Sequence, residues 1–137
     1  MPLAPVTVTL ALVSGPDLPP GEHPDRRIEM VVVLDAAGRL DEAAWALEQA
    51  IWTARRILPD APAQHGDVRL DAAMGWTLRF WPRGGDGADA PPALLDPGPE
   101  PLRPGEYVTV TEPGGKQYGY RVVGVTARAL PDGTARG

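Results

Sequence analysis

The sequence predicts an α+β fold, a mostly antiparallel sheet or partly closed β-barrel of six or seven strands with one helix packed on it. Three observations carry this. Apolar residues recur at every second position through most of the ordered-looking stretches, only one stretch has helical spacing, and several turn signals have lengths that suit hairpins. At 137 residues the chain has the size of one domain, and residues 1–137 are expected to share one core.

The elements follow in order. Val6, Val8, Leu10 and Leu12 share one parity, which describes a half-buried strand. Gly15-Pro16 and Pro19-Pro20-Gly21 then break the chain, with a loop to about Arg27. Ile28, Met30, Val32 and Leu34 form a second strand, closed by Asp35–Gly38. Leu40, Ala44, Leu47 and Ile51 fall on one helical stripe, Asp41 can cap the helix, and Glu42 suits its positive first turn. From Trp52 to Leu58, alternation and the run Ile51-Trp52-Thr53 favour a strand over a longer helix. Pro59 to Gly66 reads as a loop. Val68 and Leu70, the turn Asp71–Gly75, and Trp76, Leu78 and Phe80 make a hairpin.

Half of the residues from Pro82 to Gly105 are Pro or Gly, so 82–105 reads as an extended or mobile loop. Glu106–Glu112 and Gln117–Thr126 form the clearest hairpin, with Pro113-Gly114 at the centre of a type II turn and Gly114 at positive φ. A mobile tail is expected from about Ala127.

Composition excludes several functions. There is no Cys, hence no disulfide, thiol nucleophile or thiolate metal site. The net charge of −5 and pI near 4.9 disfavour nucleic acid and anionic membranes as partners. Twelve of thirteen basic residues are Arg and Asn is absent, the signature of a GC-rich genome rather than of phosphate recognition. No Lys or Arg precedes the first apolar run and no stretch is long enough to span a bilayer, so a cytoplasmic location without membrane contact is expected.

Motifs with a known chemistry are weak. Gly84–Asp89 matches the start of a calcium-binding β-roll repeat, but it occurs once and Pro91 replaces the apolar residue that should follow, so a flexible acidic loop is the better reading. His23 and His65 lack ligand spacing, Ser14 lacks a nucleophile elbow, and Gly114-Gly115-Lys116 lacks a phosphate loop. Carboxylate pairs such as Asp41/Glu42 and Asp67/Asp71 fall at turns and caps. No catalytic residue, metal site or cofactor is therefore expected.

The candidate binding residues are Arg69, Arg79 and Trp81, which share the outer face of the Val68–Trp81 hairpin, and Tyr118 and Tyr120, which share one face of the last. The first group can stack bases or simply cover an exposed Trp with Arg stems. The tyrosines form a contact surface if they face outward and core if they face inward. In Arg26-Arg27 and Arg55-Arg56, strand geometry sends the two members of each pair to opposite faces.

The segments Leu40–Trp45, Arg55–Pro59, Pro104–Val110 and Tyr120–Val125 resemble those of a group of small uncharacterised proteobacterial proteins. That resemblance implies no function. The last hairpin also resembles sortase strands, but a chain without Cys lacks the sortase nucleophile.

Three functions are consistent with these observations. The leading one is a non-enzymatic interaction or structural subunit, bound to another protein or to a second copy through a sheet face or edge. The alternative is a small-molecule binder or enzyme with a pocket between helix and sheet lined by Trp45, Trp52 or Trp76. The third is single-stranded nucleic-acid binding through Arg69, Arg79 and Trp81.

Overall fold

Val, Ile, Thr and aromatic residues at alternate positions favour pleated backbone, and here that preference is carried to closure. The structure, a computed structural model, describes residues 4–127 other than Pro20, Arg83 and Asp86. Expectations for the tail beyond Ala127, and for Asp86 within the calcium-type motif, fall outside the described residues.

The described residues form a closed antiparallel barrel in which each strand pairs with its sequence neighbour and the last returns to the first. The strands are β1 Val6–Ser14, β2 His23–Val32, β3 Thr53–Leu58, β4 Ala61–Asp71, β5 Gly75–Trp81, β6 Ala93–Asp96, β7 Tyr107–Thr111 and β8 Gln117–Ala127. One short helix, α1 Glu42–Leu47, and a single 3₁₀ turn, Gln49–Ile51, lie between β2 and β3. A β-barrel with one helix was expected, but it has eight strands rather than six or seven.

The gain in strand count comes from the Pro/Gly-rich segment. Residues 82–105 are not simply a loop: they contain β6, which pairs with β5 and β7 and buries Ala93 and Leu95. Two register pairs to β5 and three to β7 suffice to complete the ring. A four-residue strand among prolines offers too little alternation to read from sequence. The strand expected at Val68 and Leu70 is longer than its alternation shows: β4 begins at Ala61, within the expected loop Pro59–Gly66. Ala61–Gly66 has little β propensity, but Pro59-Asp60 makes a tight turn that sets Leu58 against Ala61 and so fixes the register. β2 likewise begins at His23, ahead of the expected Ile28.

Other expectations hold. Asp41 caps α1, its carboxylate accepting from the Ala44 N–H at 3.0 Å. Residues 53–58 are a strand. In the last hairpin the positive φ, +98°, belongs to Gly115 and not to Gly114. The Gly115 N–H still bonds the Glu112 carbonyl at 2.8 Å, so a type I turn followed by a left-handed residue replaces the type II turn.

Strand parity then sorts the core. Val8, Leu10, Leu12, Ile28, Met30, Val32, Ala54, Val68, Leu78, Val108, Val110, Tyr120 and Val122 face the lumen and are buried. Register shifts at Ala11/Leu12 against β2, and at Thr9/Leu10 and Leu12/Ser14 against β8, bend β1 where the ring closes. An eight-stranded barrel has an interior just wide enough to be filled by side chains or to hold one small ligand.

Candidate functional site at the open end of the barrel

The two ends of the lumen differ because the inward-facing residues change from apolar to charged along each strand. At the end where Val32, Val68 and Trp76 lie, the connection from β2 to β3 folds across the opening. Trp52 is fully buried and stacks on Trp76, with ring centroids 5.2 Å apart and planes 12° from parallel. Trp45 of α1 meets Trp76 edge-on at 6.5 Å, and its indole N–H donates to the Val68 carbonyl at 3.2 Å. Leu40 and Leu102 are buried beside them, held together by the Leu102 N–H on the Gly38 carbonyl at 2.8 Å. Of these three tryptophans only Trp52 is fully buried; Trp45 lines a cleft of about 190 Å³ against β4 and Trp76 one of about 170 Å³ beside Leu40 and Leu102, while a cavity of about 280 Å³ lies at the opposite end.

There the inward parity continues into polar residues. Arg26 precedes Ile28 on β2, Arg56 follows Ala54 on β3, Gln64 precedes Gly66 on β4, and Glu112 follows Val110. Arg26, Arg56 and Glu112 surround an open cavity of about 280 Å³ together with Leu12, Leu58, Tyr118 and Tyr120, and Arg27 and Ile57 complete its lining. An eight-stranded barrel with one end plugged and the other open is a cup.

Arg56 is the organising group of this cup. Its Nε donates to Gln64 Oε1 at 2.9 Å, and one terminal nitrogen donates to both carboxylate oxygens of Glu112, at 3.2 and 3.4 Å. The guanidinium lies 4.3 Å from the centre of the Phe80 ring. Four strands or their ends are thereby linked across the lumen by one cation, whose side chain is only 21% exposed. A half-buried ion pair with these extra partners is worth more than one in open water.

Tyr120 forms the inner wall, 6% exposed, and no described residue hydrogen-bonds its hydroxyl. Burial pushes the phenol up to about 12; the Arg56 charge opposes this, Glu112 adds to it, and Arg26 pulls weakly down. Arg26 itself has no ion pair or hydrogen bond among the described residues. Tyr118 lies against Gly15, where any Cβ would strike its ring, so the β1–β2 loop sits directly on the tyrosine. That loop is tied down by Lys116–Asp17 at 2.9 Å and Arg121–Glu22 at 2.7 Å.

The structure thus separates the candidate residues of the sequence. Tyr118 and Tyr120 come together, but in the lumen rather than on an outer contact face. Arg69, Arg79 and Trp81 lie on the outer side of β4 and β5. Arg69 is exposed, whereas Arg79 is committed: it holds both oxygens of Asp67, at 3.1 and 2.7 Å, and the Gly87 carbonyl at 2.7 Å. Gly87 packs against the Trp81 ring so closely that a Cβ there would clash. Arg79 and Trp81 therefore clasp the segment leading to β6, and their surfaces are occupied.

Arg26, Arg56 and Glu112 were not singled out as site residues in the sequence. The signal was present in the arginine pairs, because one member of each must face inward once the strand's parity is set by Ile28 or Ala54. What could not be read was that these inward members meet at one end of the same barrel.

Compared with protein-family models, curated proteins and solved structures, the chain matches none. Among the described residues no helix is long and apolar enough to cross a membrane.

Proposed function

We propose that this protein is a small-molecule-binding protein whose ligand enters the open end of the barrel. One observation carries the reading: a lumen sealed by packed tryptophans at one end presents, at the other, an unfilled cavity where polar groups converge on apolar walls. Ligand sites combine concave apolar surface with a few placed polar groups, and barrel mouths are a recurrent location for them. The buried Arg27 Nε, which has no hydrogen-bond partner, supports the same reading, because such a group is costly unless something else supplies one, and the Tyr120 hydroxyl on the same wall is bonded by no described residue. The groups present are suited to holding a ligand: Arg56 and Glu112 neutralise each other, and the phenol stays protonated at neutral pH.

The test is to fill the cup. Leu12→Trp places an indole in the cavity from the bulged strand. Small molecules extracted from the purified wild-type protein, identified by mass spectrometry and added back, are expected to raise the melting temperature of the wild type but not of Leu12→Trp. An equal rise in both proteins would place binding elsewhere.

A second reading, contact with another protein, is supported by the outer face of β7 and β8, where Tyr107 is 59% and Val123 42% exposed. Ring closure pairs every strand on both sides, so this contact would use a face and not a sheet edge. Sedimentation of Tyr107→Ser/Val123→Ser against the wild type distinguishes it, since only an interface would lose mass or partner on that change.

A further inference from the structure

We propose that the cup selects a small organic carboxylate, with Arg26 and Arg27 as its counter-charges, the Tyr120 hydroxyl as a further donor and the apolar wall as a seat for a compact hydrocarbon body. The proposal rests on the binding reading above and adds the class of ligand.

Charge comes first. The ionised groups that line this end are Arg26, Arg27, Arg56 and Glu112, which leaves two positive charges in excess. Glu112 is matched to Arg56, one guanidinium nitrogen lying 3.2 and 3.4 Å from its two oxygens. The excess therefore resides on Arg26 and Arg27, both half-buried and without an ion pair among the described residues, and the Arg27 Nε is buried with no hydrogen-bond partner. A guanidinium removed from bulk water and left unpaired is an electrostatic cost that an anion would relieve. This local surplus stands within a chain of net charge −5, so it is not a by-product of overall basicity.

Donor chemistry points the same way. Arg26 offers only donors, and the Tyr120 hydroxyl is free to donate, whereas the one carboxylate acceptor is taken by Arg56. A ligand that supplies acceptors and negative charge satisfies both free groups, and one that supplies donors satisfies neither well. A planar carboxylate can accept two parallel bonds from a guanidinium fork.

Size and wall chemistry narrow the class. A cavity of about 280 Å³ lies at the lower end of ligand-pocket volumes and suits a body of one ring or a short branched chain. Leu12, Leu58 and the ring of Tyr118 would leave the hydroxyls of a sugar acid without partners.

The experiment is calorimetric titration of the full chain with three probes of similar shape: benzoate, benzyl alcohol and phenyl phosphate. Each is titrated into the wild type, Arg26→Met, Arg26→Met/Arg27→Met and Leu12→Trp. Benzoate is expected to bind the wild type at least about tenfold more tightly than benzyl alcohol, the factor expected of one charge-assisted hydrogen-bonded contact. Arg26→Met is expected to narrow the gap between the two probes and Arg26→Met/Arg27→Met to close it, with the melting temperature of Arg26→Met within a few degrees of the wild type. Leu12→Trp is expected to abolish binding of both. Equal binding of benzoate and benzyl alcohol to the wild type would overturn the anion assignment while leaving the cup as a binding site. Tighter binding of phenyl phosphate would overturn the carboxylate assignment alone. Heats indistinguishable from dilution for every probe, with Leu12→Trp melting like the wild type in cell extract, would overturn both the ligand class and the binding reading.

Discussion

Tyr120 gives the barrel a stability that depends on pH in a defined direction. The residue is largely buried, and that desolvation holds its pKa at about 12 against an ordinary value of 10.0. The folded state therefore prefers the neutral phenol more strongly than the unfolded chain does. A raised folded pKa means the contribution is complete below pH 10 and is lost as pH climbs from 10 towards 12. Two units correspond to about 2.7 kcal/mol at most, at about 1.36 kcal/mol per unit. Tyr120→Phe isolates the effect, since it deletes the ionisable group and keeps the ring that packs between Leu12 and Val108. At pH 7 the substitution is expected to be nearly neutral, because the deleted hydroxyl has no protein partner to leave behind. Urea unfolding of both proteins at half-unit steps from pH 7 to pH 11.5 reads the difference directly. The two stabilities should run parallel to about pH 9.5, after which the wild type falls away from the variant. Titrations of other groups, including the Lys116 ammonium that Asp17 holds above its ordinary value, are common to both proteins and cancel. A constant difference across this range, or a phenolate band lost in Tyr120→Phe that develops near pH 10, would refute the burial argument.

Three further outcomes follow from the packing. Glu112→Gln leaves the half-buried Arg56 cation without its counter-charge and should destabilise the fold by about 1–3 kcal/mol in urea, with Arg56→Met/Glu112→Leu recovering part of the loss. Trp52→Ala empties the largest fully buried site of the plug and should cost about 3–5 kcal/mol, read by the same unfolding assay. Asp71 accepts from the N–H groups of Met74 and Ala73, which holds its carboxyl below the ordinary 3.8. Its stabilising effect is present above pH 3.8 and lost as pH falls through the lower folded value, so Asp71→Asn should flatten part of the acid limb of a melting-temperature profile.

How much of this was legible follows from how local each determinant is. Parity placed Val8, Leu10, Ile28, Met30, Leu78, Val108 and Val110 in the core, because a two-residue period is written in consecutive positions. The Asp41 cap and the Asp71–Gly75 turn were readable for the same reason. β6 was not, since Ala93–Asp96 is a strand only because β5 and β7 leave a gap of one strand's width for it. Gly114 was assigned the positive φ because Pro-Gly fits a type II turn, but a second glycine follows and offers the type I alternative, which the register of β7 and β8 selects. Trp45, Trp52 and Trp76 were correctly seen as the large apolar bodies, yet whether they line a hollow or fill one depends on how α1 folds back.

The same logic explains why the cup itself was hidden. A barrel interior that is apolar throughout needs no polar residue on its inward parity, so Arg26, Arg56, Gln64 and Glu112 depart from the pattern that builds the fold. Each departure is small when seen on its own strand, where it looks like a frayed end reaching solvent. Only closure turns separate ends into one rim, and on that rim Arg56 pairs with Glu112 from the far side of the sequence. Had all four served only to solvate strand ends, each charge would be expected to find water or a neighbour on its own hairpin. Arg56 bonds Gln64 on its own hairpin but also reaches across the lumen to Glu112, and Arg26 stays half-buried without a partner among the described residues. Polar groups held in that way, against apolar walls and beside a cavity, are better explained by something that enters the cup than by the stability of the barrel around it.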